Sequence, residues 1–298
     1  MTFEDLMQTA QKLNVSVEAL AALAARLLAD AEGIALDAEV ERSLDRVTTA
    51  MGITADELAS VTADQRRAVT GMIRSFFRQA AGLIDHPDRP PGWSYEDPVI
   101  LQSQGRGSMG LVPIIQRIAA DLGDLGTRLS QPGAAFLDVG TGVGWLAVGM
   151  AQAFKNLHIV GIDVWPPALR LAAVNIAGVK ERIELREQDV TLLSDDRVFD
   201  AVFLPGPFLP KPVVEIAVER ARVALRPGGW LLFGLYAPTH DRLAGPLTDL
   251  RVVRSGGHPW QPDEGVALLK VAGFVGTRAP VRTWQTPMTF VVGMSPDR

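Results

Sequence analysis

The chain has 298 residues, 47% hydrophobic and 21% charged, with a formal net charge of -5; this is enough for two modest domains or one large one with a packed core. The acidic balance argues against a general nucleic-acid binder, which needs a basic footprint to release counterions, and the absence of cysteine excludes disulfides, thiolate nucleophiles and cysteine zinc sites. The opening "MTFEDLMQTAQKLN" lacks the basic-then-apolar order of a signal peptide, and no apolar run approaches the roughly 20 residues of a membrane span, so the expectation is a soluble cytoplasmic protein with no membrane partner.

The first part of the chain reads as helices only. Ser16 is placed to cap "SVEALAALAARLLADA", whose Leu20, Leu23, Leu27 and Leu28 share one face. "DAEVERSLDRVTTAMG" gives a short amphipathic helix closed by Gly52. Thr54 with Glu57 and Thr62 with Gln65 have capping-box spacing; the second pair opens a longer helix with Val69, Met72, Ile73, Phe76 and Phe77 on its apolar face. These elements predict a helical domain over residues 1–85. "DHPDRPPGWSYEDPVI" holds four prolines and reads as a crossing segment, since proline fixes φ and removes a donor. "LVPIIQRIAADLGDLGTRL" reads as one helix, and with the proline-rich stretch it forms a connecting region over 86–130.

From residue 131 the pattern alternates. "AAFLDVG", "HIVGIDV", "IELREQD", "FDAVFLP" and "GGWLLFGLY" predict five strands separated by helices, hence right-handed crossovers and a largely parallel sheet covered on both faces. The helix "PDEGVALLKVAGF" follows, and then strand-like "GTRAPVRTW" and "MTFVVGMS" joined by "QTP" predict an antiparallel hairpin at the sheet edge.

The first of these strands runs into a loop holding Gly140, Gly142 and Gly144 before a helix. Such a unit holds a nucleotide-like ligand. The third glycine comes one residue too early for the dinucleotide fingerprint G-x-G-x-x-G, and Trp145 stands where the fingerprint needs glycine. No Lys-Ser/Thr follows, so the phosphate-binding P-loop fails as well. Asp138 at the strand end suits a ligand with an ammonium group better than a pyrophosphate. Asp163 ends the second strand, where a carboxylate can accept from both ribose hydroxyls, and Asp189 ends the third, where it can accept from an adenine amino group. Carboxyl ends of parallel strands converge on the ligand crevice.

"FLDVGTGVGW", "IVGIDVW", "IELREQDV", "FDAVFLPGPF" and "ALRPGGWLLF" resemble, in order, the motifs of the class I S-adenosylmethionine-dependent methyltransferases, of the small-molecule, O-methyltransferase-like type. The resemblance covers about the last 165 residues. It implies an α/β fold: a Rossmann-like, seven-stranded, mostly parallel sheet with an antiparallel last strand over 131–298, plus the N-terminal all-α domain as lid and dimerisation surface of a homodimer. It implies S-adenosylmethionine as cofactor, with Gly140, Gly142 and Gly144 against the methionyl part, Asp163 on the ribose, Asp189 and Val190 at the adenine, and Asp138, Val164, Trp165 and Leu204 lining the same cleft. The implied reaction is methyl transfer to a small acceptor, most simply a hydroxyl oxygen, by in-line displacement.

Base- and amide-directed relatives carry Asn/Asp-Pro-Pro-aromatic after the fourth strand. Here Pro205, Gly206, Pro207 and Phe208 stand there, and Pro205 has no side chain to accept from an attacking nitrogen. His240 in "APTHDR" and His258 in "SGGHPW" are the candidate general bases. The four histidines show no paired metal spacing, so no metal is expected. Phe208, Trp93, Tyr95, Trp165, Tyr236 and Trp260 are candidates for an aromatic acceptor pocket. The alternatives are methyl transfer to a protein or RNA, and S-adenosylmethionine binding without transfer, as a cyclase or scaffold.

Overall fold

The computed structural model describes residues 1–296 and divides into two compact units, Met1–Pro87 and Asp88–Arg298. The first unit contains α1 (Phe3–Glu32), α2 (Ala38–Ala50), α3 (Ala55–Ser60) and α4 (Ala63–Asp85). α1 is one continuous helix of 30 residues. Ser16 therefore lies inside it and caps nothing; the start is set by Thr2, whose side chain accepts from Asp5 N–H in a capping box, and no proline or glycine interrupts the chain before Gly33. The Thr54–Glu57 and Thr62–Gln65 boxes both form. Leu27, Leu58 and Ile73 are buried, and Arg26 ties α1 to α2 through Asp45 at 2.7 Å.

The second unit begins with an irregular segment and then a helix that the glycines at 105 and 107 conceal in the sequence, α5 (Pro98–Ser108). Asp97 caps it through Val99 N–H, with proline at the first helical position. The single helix expected after it is broken into α6 (Val112–Ala120) and α7 (Leu125–Arg128), because Gly123 takes a left-handed turn with φ +59.

The strands are β1 (Ala135–Val139), β2 (His158–Asp163), β3 (Ile183–Glu187), β4 (Phe199–Pro205), β5 (Leu225–Tyr236), β6 (Val275–Arg278) and β7 (Met288–Met294). They form a seven-stranded sheet ordered β3-β2-β1-β4-β5-β7-β6. β1 pairs in parallel with β2 and β4, β5 extends β4 in parallel, and β7 enters antiparallel between β5 and β6. The last two strands are joined by a longer link than "QTP": β6 ends at Arg278, since Pro280 removes a donor from any continuation.

Between strands run α8 (Trp145–Ala153), α9 (Pro166–Asn175), α10 (Lys211–Ala224), α11 (Ala244–Arg254) and α12 (Pro262–Val271). Alternate residues along β1, β2, β4, β5 and β7 feed opposite cores. Phe136, Phe203 and Leu232 join Ile115, Leu125 and Met150 on one face, while Leu137, Val202 and Phe233 join Val214, Val218 and Leu269 on the other. This two-residue alternation is what makes the strand runs nearly uninterrupted in hydrophobicity.

At the amino end of β4, Asp200 is 4% exposed. Its carboxylate accepts from Arg128 Nη2 at 3.0 Å, from Arg226 Nη1 at 2.6 Å and from the Ala135 N–H at 3.0 Å, so it joins α7, β5 and β1. Asp200→Ala strands both guanidinium groups without this partner, and the expected loss is about 3 kcal/mol of unfolding free energy, read as a lowered midpoint in urea denaturation.

Candidate functional site

The loop after β1 is shaped by left-handed backbone at Gly140, Gly142 and Gly144, with φ of +62, +58 and +80; an L side chain is strained at each. The chain returns from β1 so that Thr141 N–H donates to the Ile162 carbonyl at 3.0 Å, and Gly142 N–H donates to Asp163 Oδ2 at 2.8 Å. Asp163 Oδ1 accepts from Trp165 N–H at 2.8 Å. Burial raises the pKa of Asp163, and the backbone donors of Trp165, Gly142 and Val164 oppose that rise. One carboxylate thus sits at the end of β2, aimed by backbone donors, beside a loop with no side chains at three of its five positions.

Asp138 occupies a different place from that expected. It is 1% exposed, and its Oδ2 accepts from Thr141 Oγ1 at 2.8 Å, so it anchors the loop from within instead of facing an ammonium group in the crevice. Gly161, opposite Asp138 in the β1–β2 register, makes this possible: a Cβ there would lie 2.7 Å from Thr141 Oγ1. Burial pushes the Asp138 carboxyl up to about 7, with the Thr141 hydrogen bond opposing and the Asp163 charge adding to the rise.

Asp189 follows β3 as the cap of a short turn, accepting from Thr191 N–H and Oγ1 at 2.8 Å each, with its side chain exposed. Val190 beside it is buried, whereas Val164 is 60% exposed. Leu204 is buried in the core face that also holds Val139 and Ile162.

A proline-rich strap crosses this end of the sheet. Trp165 Nε1 donates to the Tyr95 carbonyl at 2.8 Å, Trp93 packs edge-on against Tyr95 and Phe208 at 5.2 and 5.7 Å between ring centroids, and Gly92 N–H donates to the Arg254 carbonyl. The strap therefore links the end of β2 to the turn after β4 and to the end of α11. Trp93, Tyr95, Trp165, Leu101 and Val143 form one apolar cluster on the glycine loop.

Beside that turn is a cavity of about 140 Å³, lined by Pro207, Tyr236, Thr239, Asp249, His258 and Trp260 among others. Its wall includes Pro207, two residues after Pro205, whose side chain would lie 3.3 Å from a Cβ on Gly140. His258 lines it; its Nε2 lies 3.1 Å from both oxygens of Glu264. His240 is exposed in the loop after β5 and is not in that wall. Burial raises the Tyr236 phenol pKa, against the Arg251 charge and a hydrogen bond with Gln104. Sequence reading missed Glu264, Lys211 and Gln104, because no spacing links α5, α10 and α12 before the chain is folded.

Residues 136–229 match the methyltransferase domain family. Over 131 residues, which are 40% of this chain and 47% of the relative, the sequence is 33% identical to a release factor glutamine methyltransferase of Cereibacter sphaeroides; the chain spans about half the length of the curated relatives it matches. In structure it is similar to an O-methyltransferase family protein from Burkholderia thailandensis, with a TM-score of 0.69 at 15% identity over 99% of this chain and 98% of that one. It is also similar to human N-acetylserotonin methyltransferase, solved in complex with S-adenosylmethionine, with a TM-score of 0.63 at 17% identity over 99% and 96%. The sheet order and the family match define a class I S-adenosylmethionine-dependent methyltransferase domain. Its glycine loop and Asp163 fit that cofactor: three positions lack a side chain over the crevice, and the carboxylate stands beside them.

Asp138 gives a pH-dependent test of the loop. Its folded pKa lies above the unfolded value, so its contribution is complete at low pH and is lost as pH rises through the folded pKa, over the window from about 4 to about 7. Asp138→Asn removes this dependence. Denaturant unfolding at about pH 5 and about pH 8 is expected to show wild type losing stability on the order of a few kcal/mol relative to the variant across that interval.

Proposed function

We propose that the chain transfers the methyl group of S-adenosylmethionine to a hydroxyl oxygen of a small molecule. The observation that carries this reading is the cavity at the end of β5, which holds an imidazole, His258, in its wall together with Pro207, two residues after the Pro205 that packs on Gly140. The cofactor supplies a methyl group on a sulfonium, which leaves as a neutral sulfide. The protein's part is to align the acceptor, exclude water and accept the hydroxyl proton. Alignment contributes up to about 7–11 kcal/mol in ideal cases, and a positioned base adds about 10²–10⁴ in rate.

In this reading Asp163 holds the ribose hydroxyls, the glycine loop receives the methionyl part, Val164 and Val190 flank the adenine with Asp189 at its amino edge, and Trp165 and Leu204 support the cleft. The strap of Trp93 and Tyr95, packed on Phe208 and bonded to Trp165, keeps water from the transfer path. His258 takes the proton and His240 does not. The relative from Cereibacter sphaeroides acts on a glutamine of a release factor, but Pro205 here offers an amide nitrogen no accepting side chain. The acidic net charge and the small cavity further support a small acceptor.

The first 20 residues of α1 support a homodimer. Phe3, Leu6, Ala10, Leu13, Val17 and Leu20 recur at alternating spacings of three and four, the pattern of a coiled-coil seam, and Phe3, Leu6 and Leu13 are 76%, 54% and 53% exposed. A second copy supplies a helix of matching pattern. Light scattering of the intact protein is expected to give twice the chain mass, falling to one chain mass in Leu6→Glu/Leu13→Glu with the circular dichroism spectrum retained.

The acceptor class is tested with methyl-¹³C-labelled cofactor and a mixed panel of small phenols, alcohols, amines and one glutamine-bearing release-factor peptide. Label on oxygen, at least tenfold weaker in His258→Ala, supports the reading. Label on the peptide amide alone contradicts it.

A further inference from the structure

We infer that Glu264, held by Lys211, is a positioning residue that fixes the proton of His258 on Nε2 and so presents the Nδ1 lone pair as the base. The use of that base rests on the methyl-transfer reading above; the tautomer itself does not.

Glu264 lies in the first turn of α12. Both its oxygens stand 3.1 Å from His258 Nε2, and Oε1 also accepts from Lys211 Nζ, at the start of α10, at 2.6 Å. A carboxylate can only accept, so the proton between the two groups belongs to the imidazole Nε2. Burial works to raise the Glu264 pKa, but the hydrogen bonds from Lys211 and His258 outweigh it and lower it, so the carboxylate stays ionised.

The ring is held in this pose from a second side. His258 packs edge-on to Trp260 at 4.8 Å, Trp260 packs edge-on to Phe233 at 5.5 Å, and Lys211 Nζ lies 5.3 Å from the Trp260 ring. Lys211 therefore contacts both the carboxylate and the indole that hold the imidazole. His258 Nδ1 has no hydrogen-bond partner among the described residues, and the residue lines the cavity together with Tyr236 of β5 and Asp249 of α11.

In use, a hydroxyl in the cavity gives its proton to Nδ1 and keeps the electron pair on oxygen. The resulting imidazolium charge is opposed by Glu264, and the proton then leaves to water. Lys211 limits how far the carboxylate draws the Nε2 proton, so the pair remains an oriented imidazole beside a carboxylate.

The test is the ¹⁵N spectrum of the full chain labelled at histidine, recorded at rising alkaline pH until the imidazole signals stop moving, and assigned with His258→Gln. Wild type is expected to show His258 as the Nε2–H form. Glu264→Ala is expected to weaken that bias about tenfold or more, while Glu264→Gln, which keeps an accepting oxygen, retains it. Asp163→Ala leaves the tautomer unchanged, so loss of cofactor binding and loss of the tautomer are read separately. An Nδ1–H form in wild type overturns the inference, even where Glu264→Ala fails to fold. So does a Glu264→Ala spectrum with the wild-type tautomer ratio.

Discussion

The hydrogen bond from Gly142 N–H to the Asp163 carboxylate, 2.8 Å long, is the contact on which the rest of this site depends. It requires β1 and β2 to be parallel neighbours in register, with Asp138 opposite Gly161, because only then does the loop after one strand reach the end of the other. It also requires backbone that no side chain obstructs. The loop is pinned on its inner side by Asp138 through Thr141 and on its outer side by Asp163, so its amides are fixed before any ligand arrives. A preorganised cradle of this kind costs nothing to arrange at the moment of binding.

The same constraint explains why two acidic residues close in space take different roles. Asp138 is sealed from water beneath Gly161 and has one hydroxyl donor; burial dominates, and its pKa is pushed up to about 7. Asp163 sits at the strand end with backbone donors that favour the charged form and offset part of its own burial. The first acts as a structural anchor, and the second, in the proposed reading, holds the ribose hydroxyls of the cofactor. Across the turn after β4, Glu264 shows a third outcome: an ammonium and an imidazole hold it below the usual carboxylate range.

Much of this was legible in the sequence. Four of the five runs from Ala134 onward became strands buried on both faces, which leaves a nearly unbroken hydrophobic signal, whereas β3, at the sheet edge, is mostly half-buried or exposed and carries charged residues among its apolar ones. The glycine loop and Asp163 were legible because backbone geometry and strand ends are local properties. What was not legible depended on distant partners. α1 continues through Ser16 because a good N-cap residue inside a run of helix formers is overridden by propagation of the helix from Thr2. α5 was hidden by Gly105 and Gly107, and the role of Asp138 by the absence of a side chain at Gly161, across the sheet. Of the two histidines proposed from their loops, only His258 reaches the cavity wall, and what separates it from His240 is Glu264, on another element.

The claim most exposed to a single experiment is that this crevice takes S-adenosylmethionine through Asp163. Isothermal titration of the full chain with S-adenosylmethionine, S-adenosylhomocysteine and NADH, on wild type and on Asp163→Ala, measures it directly. The account predicts binding of both adenosyl ligands in the micromolar range, about −8 kcal/mol, weakened at least tenfold in Asp163→Ala, and no heat from NADH. Wild-type protein that binds neither adenosyl ligand, or that binds NADH in their place, would contradict it.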